Sequence, residues 1–315
     1  YLDITNVNGR VIPSLSYKND EGKWILWVPM NEKLTMLYAC PAESEYISNK
    51  PDNENDVLLN FYNFFLKHIS YPDINPKIRS IRDDFHNICT VIAKIDTYYN
   101  LKVDKNIEVH RFVSTELEYL FVVCRSLFDL LQEIISGVWS KVTIFDKQIH
   151  KKTLPKSFRE MIIKNNKLLS QEEIQSRYNI PESMAKYYFE IAPFFLVLRE
   201  YRDKVVHSGK TVDIVFELEN GFAVDKSSEP FASFNVWKES DFYNVNLASL
   251  RPVIHHIITI TLKSCDDFID VISSIIKFPP SLIPNHNIYT RGYHTTAYIN
   301  LINTIEAQRW WNKQC

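Results

Sequence analysis

Hydrophobic residues recur at helical spacing over most of residues 57–278. The clearest stretch places apolar residues alternately three and four positions apart, on one face of an amphipathic helix. These residues are Val113, Leu117, Leu120, Cys124, Leu127, Leu131, Ile134 and Val138. Because Phe121, Phe128 and Ile135 widen the stripe, we expect this helix to pack against more than one neighbour.

Further helices are predicted where the same spacing recurs and where Pro, Gly or a capping pattern marks an end. They cover 57–69, about 76–95, a start at 170–173, 181–209, about 247–277 and about 298–311.

In two regions, hydrophobic and polar residues instead alternate with a period of two, which is typical of β-strands. The segments 10–17 and 23–30 predict an N-terminal hairpin. Its aromatic residues Trp24 and Trp27 could form a binding surface, but aromatic residues on a small sheet more often pack against it. After Gly209 the alternation resumes, and a turn signal at 220–221 predicts a β-hairpin inserted at about 211–238.

The boundaries between the parts of the chain are predicted from local amino-acid composition. Between Glu43 and Asp56 there are five acidic residues against one lysine, which predicts a solvated linker. Prolines end the last long helix. We therefore expect a mainly α fold with a β-rich appendage and acidic linker (1–56), a helical bundle with the β insertion (57–278) and an aromatic C-terminal tail (279–315). The tail aromatics are expected to dock on the body or on a second subunit; they are Tyr289, Tyr293, Tyr298, Trp310 and Trp311.

Net charge is −2 and the pI is near 6.5, so nucleic acid can be attracted only by a local patch. Residues 141–167 form such a patch, with eight cations against two acids. An RNA backbone would be contacted here; the alternative is a solvated connection. The candidate RNA-binding residues are Lys151, Lys152, Lys156 and Arg159, together with Lys204 on the helix that ends at Gly209.

Several classes of protein and of functional site are excluded or disfavoured by the sequence. Five dispersed cysteines are typical of reduced thiols in a cytoplasmic protein. No apolar run reaches about 18 residues, so no membrane helix is expected. The chain has no phosphate-binding Gly-rich loop, Rossmann fingerprint, nucleophile elbow or consistent metal-ligand spacing, so no cofactor and no metal are expected. Because the sequence begins with Tyr1, it does not identify the native N-terminus.

Candidate chemistry is concentrated at the end of the helix that closes at Gly209. Arg199, Asp203 and His207 fall on one face at i, i+4 and i+8, and Arg202 lies beside the buried stripe. An aspartate one turn below an imidazole can fix its tautomer, and a guanidinium can hold a phosphate. These groups suffice for RNA cleavage without a metal ion.

The sequence Arg202-Asp203-x3-His207 resembles the Arg-x4-to-6-His motif of HEPN domains, which are small helical bundles. The resemblance covers the bundle only. It implies a metal-independent endoribonuclease of a toxin–antitoxin or antiviral system that leaves a 2′,3′-cyclic phosphate. Arg202 would polarise the phosphate, His207 would activate the 2′-hydroxyl and Asp203 would orient the imidazole. It also implies a homodimer whose two motifs share a cleft, and an antitoxin as a possible partner.

Three alternatives stay open. Arg251 and His256 have the same spacing, but Pro252 follows the arginine and this pair begins a helix instead of ending one. A non-catalytic HEPN-like module that binds nucleotide, RNA or protein would use Arg202 as a structural residue and His207 as a helix-terminal cap. A helical protein unrelated to the family is the third interpretation.

Overall fold

The computed structural model describes residues 4–12, 16–31, 33–40, 42–105, 108–208, 215–219 and 221–307. Within these ranges the side chains at 4, 29, 102–105, 204–208 and 304–307 are left out. The protein is mainly α-helical, as predicted. Eight α-helices lie in the described part: α1 (Asn60–His68), α2 (Asn75–Lys105), α3 (His110–Trp139), α4 (Phe158–Ile162), α5 (Gln171–Tyr178), α6 (Glu182–Ser208), α7 (Leu250–Ile275) and α8 (Thr295–Ala307).

The strands are short, and two of their pairings join segments that are far apart in sequence. They are β1 (Ser16–Lys18), β2 (Trp24–Met30), β3 (Lys33–Leu37), β4 (Ser44–Ser48), β5 (Thr143–Ile144), β6 (Ile163–Lys164), β7 (Lys167–Leu168), β8 (Phe216–Leu218), β9 (Gly221–Asp225), β10 (Leu247–Ser249), β11 (Ile276–Lys277) and β12 (Asn287–Arg291). Five of them form a sheet in the order β12-β4-β1-β2-β3.

The segment predicted to be a solvated acidic linker contains β4, which is a central strand of this sheet. Tyr46 and Glu45 are only 1% and 3% exposed. Glu45 is buried because its two carboxylate oxygens accept from Arg79 and Arg82 at 2.6 and 2.5 Å. Both arginines lie on α2, so a local count of acidic residues could not identify them as partners.

The predicted tail contributes β12 to the same sheet, where Ile288 lies opposite Ile47. The Arg291 guanidinium pairs with Asp56 through two hydrogen bonds of 2.8 and 2.7 Å. It also lies over the rings of Trp24 and Tyr46, at 5.0 and 5.1 Å from their centroids. This part of the tail is therefore docked on the N-terminal sheet.

The other tail aromatics differ among themselves. Tyr289 stacks on Tyr46 at 5.7 Å and Tyr298 packs edge-on against Phe85 at 5.2 Å. Tyr293 is instead 72% exposed. The two tryptophans at 310 and 311 lie outside the described residues.

Arg10 connects the N-terminal segment to the end of α1 and to the loop that contains Pro280. Arg10 is only 3% exposed. Its Nη1 donates to the carbonyl oxygens of Lys67, His68 and Pro280 at 3.1, 3.2 and 2.7 Å. The cation therefore satisfies the C-terminal carbonyls of α1, which have no partner within the helix. The sequence predicted a strand over 10–17, whereas β1 includes only its last part and the residue that follows.

The predicted β insertion is a three-stranded sheet in the order β10-β9-β8. Its third strand lies at Leu247–Ser249, where a helix was predicted to begin; α7 begins at Leu250 because the preceding residues pair with β9. The segment 231–237, predicted to be extended, contains a 3-10 helix at Phe231–Ser233. The positions 212 and 214 lie outside the described residues.

Two compact units are formed by interleaved segments of the chain. Unit 1 comprises 1–83, 129–190 and 265–295, and unit 2 comprises 84–128, 191–264 and 296–315. Each unit has its own buried aromatic and aliphatic residues. In unit 1 these include Phe61, Phe65, Ile134, Met161, Tyr188 and Phe268; in unit 2 they include Phe85, Leu117, Phe121, Phe195, Phe222 and Ile257. This division differs from the linear one that the sequence predicts.

Candidate active site

The candidate active site lies in the last two turns of α6, within unit 2. The helix is anchored by a stripe in which Phe195 and Leu198 are fully buried and Tyr201 is 5% exposed. The Tyr201 ring packs against Phe121, with the ring centroids 4.4 Å apart. The stripe fixes the rotation of the helix, so that Arg202 lies at the edge of the core, as its spacing predicted.

Asp203 forms ion pairs with two arginines of the same helix. Its Oδ2 lies 3.0 Å from Arg199 Nη2, and its Oδ1 lies 3.0 Å from Arg202 Nη1. The side chains are 29%, 31% and 30% exposed for Arg199, Asp203 and Arg202 respectively. The group is therefore open to solvent, and each carboxylate oxygen keeps a further lone pair for another donor.

His207 belongs to the same helix, which ends one residue later at Ser208. Its side chain and that of Lys204 lie outside the described side chains. The expected contact between Asp203 and the imidazole therefore stays a prediction. The backbone places the two residues four apart in one helix, which is the spacing at which side chains meet.

The candidate RNA-binding cations of unit 1 have different surroundings. Lys151 Nζ donates to the carbonyl oxygens of Trp139 and Val142, at 2.5 Å each. Lys152 Nζ donates to two carbonyls in the last turn of α5, at 3.2 and 3.0 Å. Lys156 is exposed, and Arg159 Nη2 approaches Asn166 Oδ1 at 3.4 Å. The first two ammonium groups are thus engaged by the backbone, whereas the other two cations remain available.

In the second Arg–His pair, Arg251 is buried and His256 is partly buried. Arg251 is 9% exposed and its Nη1 lies 2.9 Å from Asp96 Oδ1. The His256 ring packs against Phe194 and Phe234, and burial lowers its pKa from the usual value near 6.5. A cavity of about 10 Å³ adjoins Arg251 and Asp96, enough for about one water molecule. Arg251 therefore has the features of a core residue.

A cleft of about 530 Å³ opens in unit 1 beside α5 and the start of α6. Three carboxylate residues line it: Asp146, Glu172 and Glu182. The described residues that line it include no lysine, arginine or histidine. It is therefore a poor site for a phosphate backbone, which is bound by cations and N–H donors.

Among the described residues, no group of three or more His, Cys, Asp or Glu side chains is arranged to hold a metal ion. In the same part of the chain, none of the helices has the length and apolarity needed to cross a bilayer.

Comparison with known proteins finds no match: no family model, no curated protein and no solved structure corresponds to this chain.

Proposed function

We propose that this chain is a metal-independent endoribonuclease of the HEPN type, with its helices forming a HEPN-like bundle. The observation that supports the proposal is the position of Arg202 and Asp203. They lie in the last two turns of α6 with about 30% of each side chain exposed, in the same helix as His207. An arginine and an aspartate shut inside the core would have argued against it.

The proposed mechanism uses the His207 imidazole as the general base that removes the proton of a ribose 2′-hydroxyl. The 2′-oxygen then attacks the adjacent phosphorus and the P–O5′ bond breaks. The departing 5′-oxygen takes a proton from solvent water, and the imidazolium returns its proton to the solvent. Arg202 stabilises the negative charge that accumulates on the phosphoryl oxygens. Asp203 orients the imidazole through the ring nitrogen that does not react. The products are a 2′,3′-cyclic phosphate and a 5′-hydroxyl end.

The same proposal includes a cytoplasmic homodimer whose two motifs share one cleft, because each helix supplies a single Arg202 and a single His207. A toxin or antiviral role, with an antitoxin that blocks the cleft, belongs to it as well. The homodimer and the toxin or antiviral role are supported by the resemblance of the sequence from Arg202 to His207 to the HEPN motif.

A non-catalytic binding module is the second candidate. It is favoured by the ion pairs of Asp203, which occupy one donor nitrogen each of Arg199 and Arg202. In that case the arginines would stabilise the end of α6, and any RNA or nucleotide would be bound without being cleaved.

The test incubates the full chain with single-stranded RNA in EDTA. Wild type should leave 2′,3′-cyclic phosphate ends, and Arg202→Ala and His207→Ala should each lower the cleavage rate by about 10²–10⁴-fold. Arg199→Ala is the matched control, since it removes a guanidinium that pairs with the same Asp203 but lies outside the motif. It should lower the rate by less than about tenfold.

Equal cleavage by wild type and by both motif variants would refute the nuclease. Absence of cleavage by every protein, together with RNA binding that the Arg202→Ala substitution weakens, would favour the binding module instead. Mixing the two inactive variants tests the shared cleft, because mixed dimers then regain one intact set of groups.

A further inference from the structure

The hairpin formed by β6 and β7 presents two lysines side by side. Lys164 and Lys167 are cross-strand partners in the register of the hairpin, and both are exposed. Like charges directly opposite each other destabilise a strand pair. Among the described residues, neither ammonium group forms an ion pair or a hydrogen bond. The hairpin therefore carries an uncompensated pair of positive charges.

Arg159 adds a third cation to this place. Its Nη2 approaches the side-chain oxygen of Asn166, which lies in the turn immediately before Lys167, at 3.4 Å. Its Nε is buried, whereas its Nη1 forms no hydrogen bond in the described structure. The guanidinium thus has donors left over while touching the tip of the hairpin. Such a planar group binds phosphate oxygens through two parallel N–H donors.

The hairpin is held rigidly, which favours a preformed site. Asn165 and Asn166 both have positive φ, at 50° and 60°, as a two-residue hairpin turn requires. The strand that follows leads into α5, whose first turn is closed by a capping box between Ser170 and Glu173. Tyr178 of α5 donates to the carbonyl oxygen of Glu160 on α4. The two helices that flank the hairpin are therefore fastened to each other.

The local charge balance is strongly positive. Over 156–167 the charged residues are Lys156, Arg159, Glu160, Lys164 and Lys167, which gives a net charge of +3. Glu160 is exposed and forms no ion pair with these cations in the described structure. The nearby Lys151 and Lys152 differ, because backbone carbonyls already hold their ammonium groups.

We propose that the β6–β7 hairpin and Arg159 form a phosphate-binding surface for the backbone of single-stranded RNA. Arg159 contacts one phosphate through its guanidinium, and Lys164 and Lys167 neutralise one further phosphate each. The contacts read the backbone and not the bases, so they position RNA without selecting a sequence. The choice of RNA rests on the proposed function, whereas the phosphate chemistry rests on the hairpin itself.

The probe is a fluorescein-labelled 20-nucleotide 2′-O-methyl oligouridine in EDTA, titrated with the full chain. It has no 2′-hydroxyl, so it cannot be cleaved, and the result is independent of nuclease activity. The Lys164→Gln/Lys167→Gln variant should bind at least about tenfold more weakly at low salt. The slope of log affinity against log salt should fall by about 1.4, because single strands give about 0.7 for each phosphate neutralised.

The matched control is Lys23→Gln/Lys186→Gln, which removes the same total charge at two exposed lysines paired with Glu21 and Glu190. It should change affinity by less than about twofold. Arg159→Gln alone should weaken binding by several-fold. An oligoadenosine probe of the same length should bind within about threefold of the oligouridine.

Three results would overturn the proposal: no binding by wild type at low salt, an unchanged salt slope in the hairpin variant, or equal weakening by the control. Thermal unfolding followed by circular dichroism verifies that each variant is folded. Failure of the nuclease test with retained probe binding would remove the catalytic assignment alone. Cleavage by wild type with an unchanged salt slope in the hairpin variant would remove this surface alone.

Discussion

His68, the last residue of α1, has a titratable ring in an enclosed place. Its Nδ1 lies 2.8 Å from the carbonyl oxygen of Pro279, so this nitrogen must carry the proton. The ring also packs against Phe64, with the centroids 4.7 Å apart. Burial lowers the pKa of His68, and the neighbouring cations Lys67 and Arg10 lower it further, whereas the hydrogen bond to Pro279 opposes the shift. The fold therefore favours the neutral imidazole.

We expect this histidine to make the protein less stable in mild acid. The unfolded chain takes up the proton near pH 6.5, and the folded chain does so only at lower pH. The stability that comes from burying a neutral His68 is thus fully present above the pKa of this histidine in the unfolded chain, and it is lost as the pH falls below that pKa. His68→Asn keeps a donor near Pro279 but does not titrate. Its urea midpoint should fall less than that of wild type between pH 7.5 and 5.

The exposed His150 provides the comparison. His150→Asn should leave the pH dependence of the urea midpoint as it is in wild type. If His68→Asn shows the wild-type pH dependence as well, burial of the His68 ring is not a source of acid sensitivity.

Part of the candidate site could be predicted from the sequence at the level of single residues. The position of Arg202 beside the buried stripe follows from the spacing of Phe195, Leu198 and Tyr201, and the Arg199–Asp203 pair follows from i, i+4 geometry. The backbone acceptors of Lys151 could not be predicted, because carbonyl groups carry no signal in a sequence.

At the level of elements, periodicity predicts the long helices because each one carries its own apolar stripe. The helices α2, α3, α6 and α7 fall where the 3.6-residue repeat places them. The strands β4 and β12 were missed, because each is short and pairs with a partner far along the chain. A strand of five residues contains too little alternation to outweigh a local excess of acidic residues.

Gly137 shows how closely α3 packs in unit 1. A Cβ built at this position would lie 2.4 Å from Ile74 Cδ1, and Ile74 is 2% exposed. Gly137→Ala would gain about 1 kcal/mol of helix propensity, but forcing a methyl group into a packed core costs about 1–3 kcal/mol. Ile74→Val removes the atom in conflict and alone costs about 0.5–1.5 kcal/mol.

We expect the double variant Gly137→Ala/Ile74→Val to be more stable than the sum of the single effects indicates, by about 1 kcal/mol or more. Equilibrium urea unfolding of the four proteins gives this coupling energy. Additivity within about 0.3 kcal/mol would mean that the Ile74 side chain moves aside without cost.

At the level of the whole molecule, each unit is assembled from segments distant in sequence. Cleaving the chain at a single position therefore cannot separate one unit from the other. We expect a chain that ends at residue 278 to lose amide protection in β4 and α1, because it lacks β12 and the Arg291–Asp56 pair. Hydrogen exchange read by mass spectrometry measures this loss.

A chain that ends at residue 307 retains β12 and α8 and serves as the control. It should keep wild-type protection in β4 and α1. Full protection of both elements in the shorter chain would instead support the linear division into an appendage, a bundle and a tail.

The contacts of Arg10 have a consequence for the order of events on the ribosome. One of its acceptors, the Pro280 carbonyl, is translated about 270 residues later, and β12 follows soon after. At about 5–20 residues per second, this delay is roughly 15–55 s. Throughout that interval β1, β2 and β4 are synthesised but cannot complete their sheet, so Trp24 and Tyr46 are available to chaperones. The N-terminal sheet is thus completed only late in the synthesis of this chain.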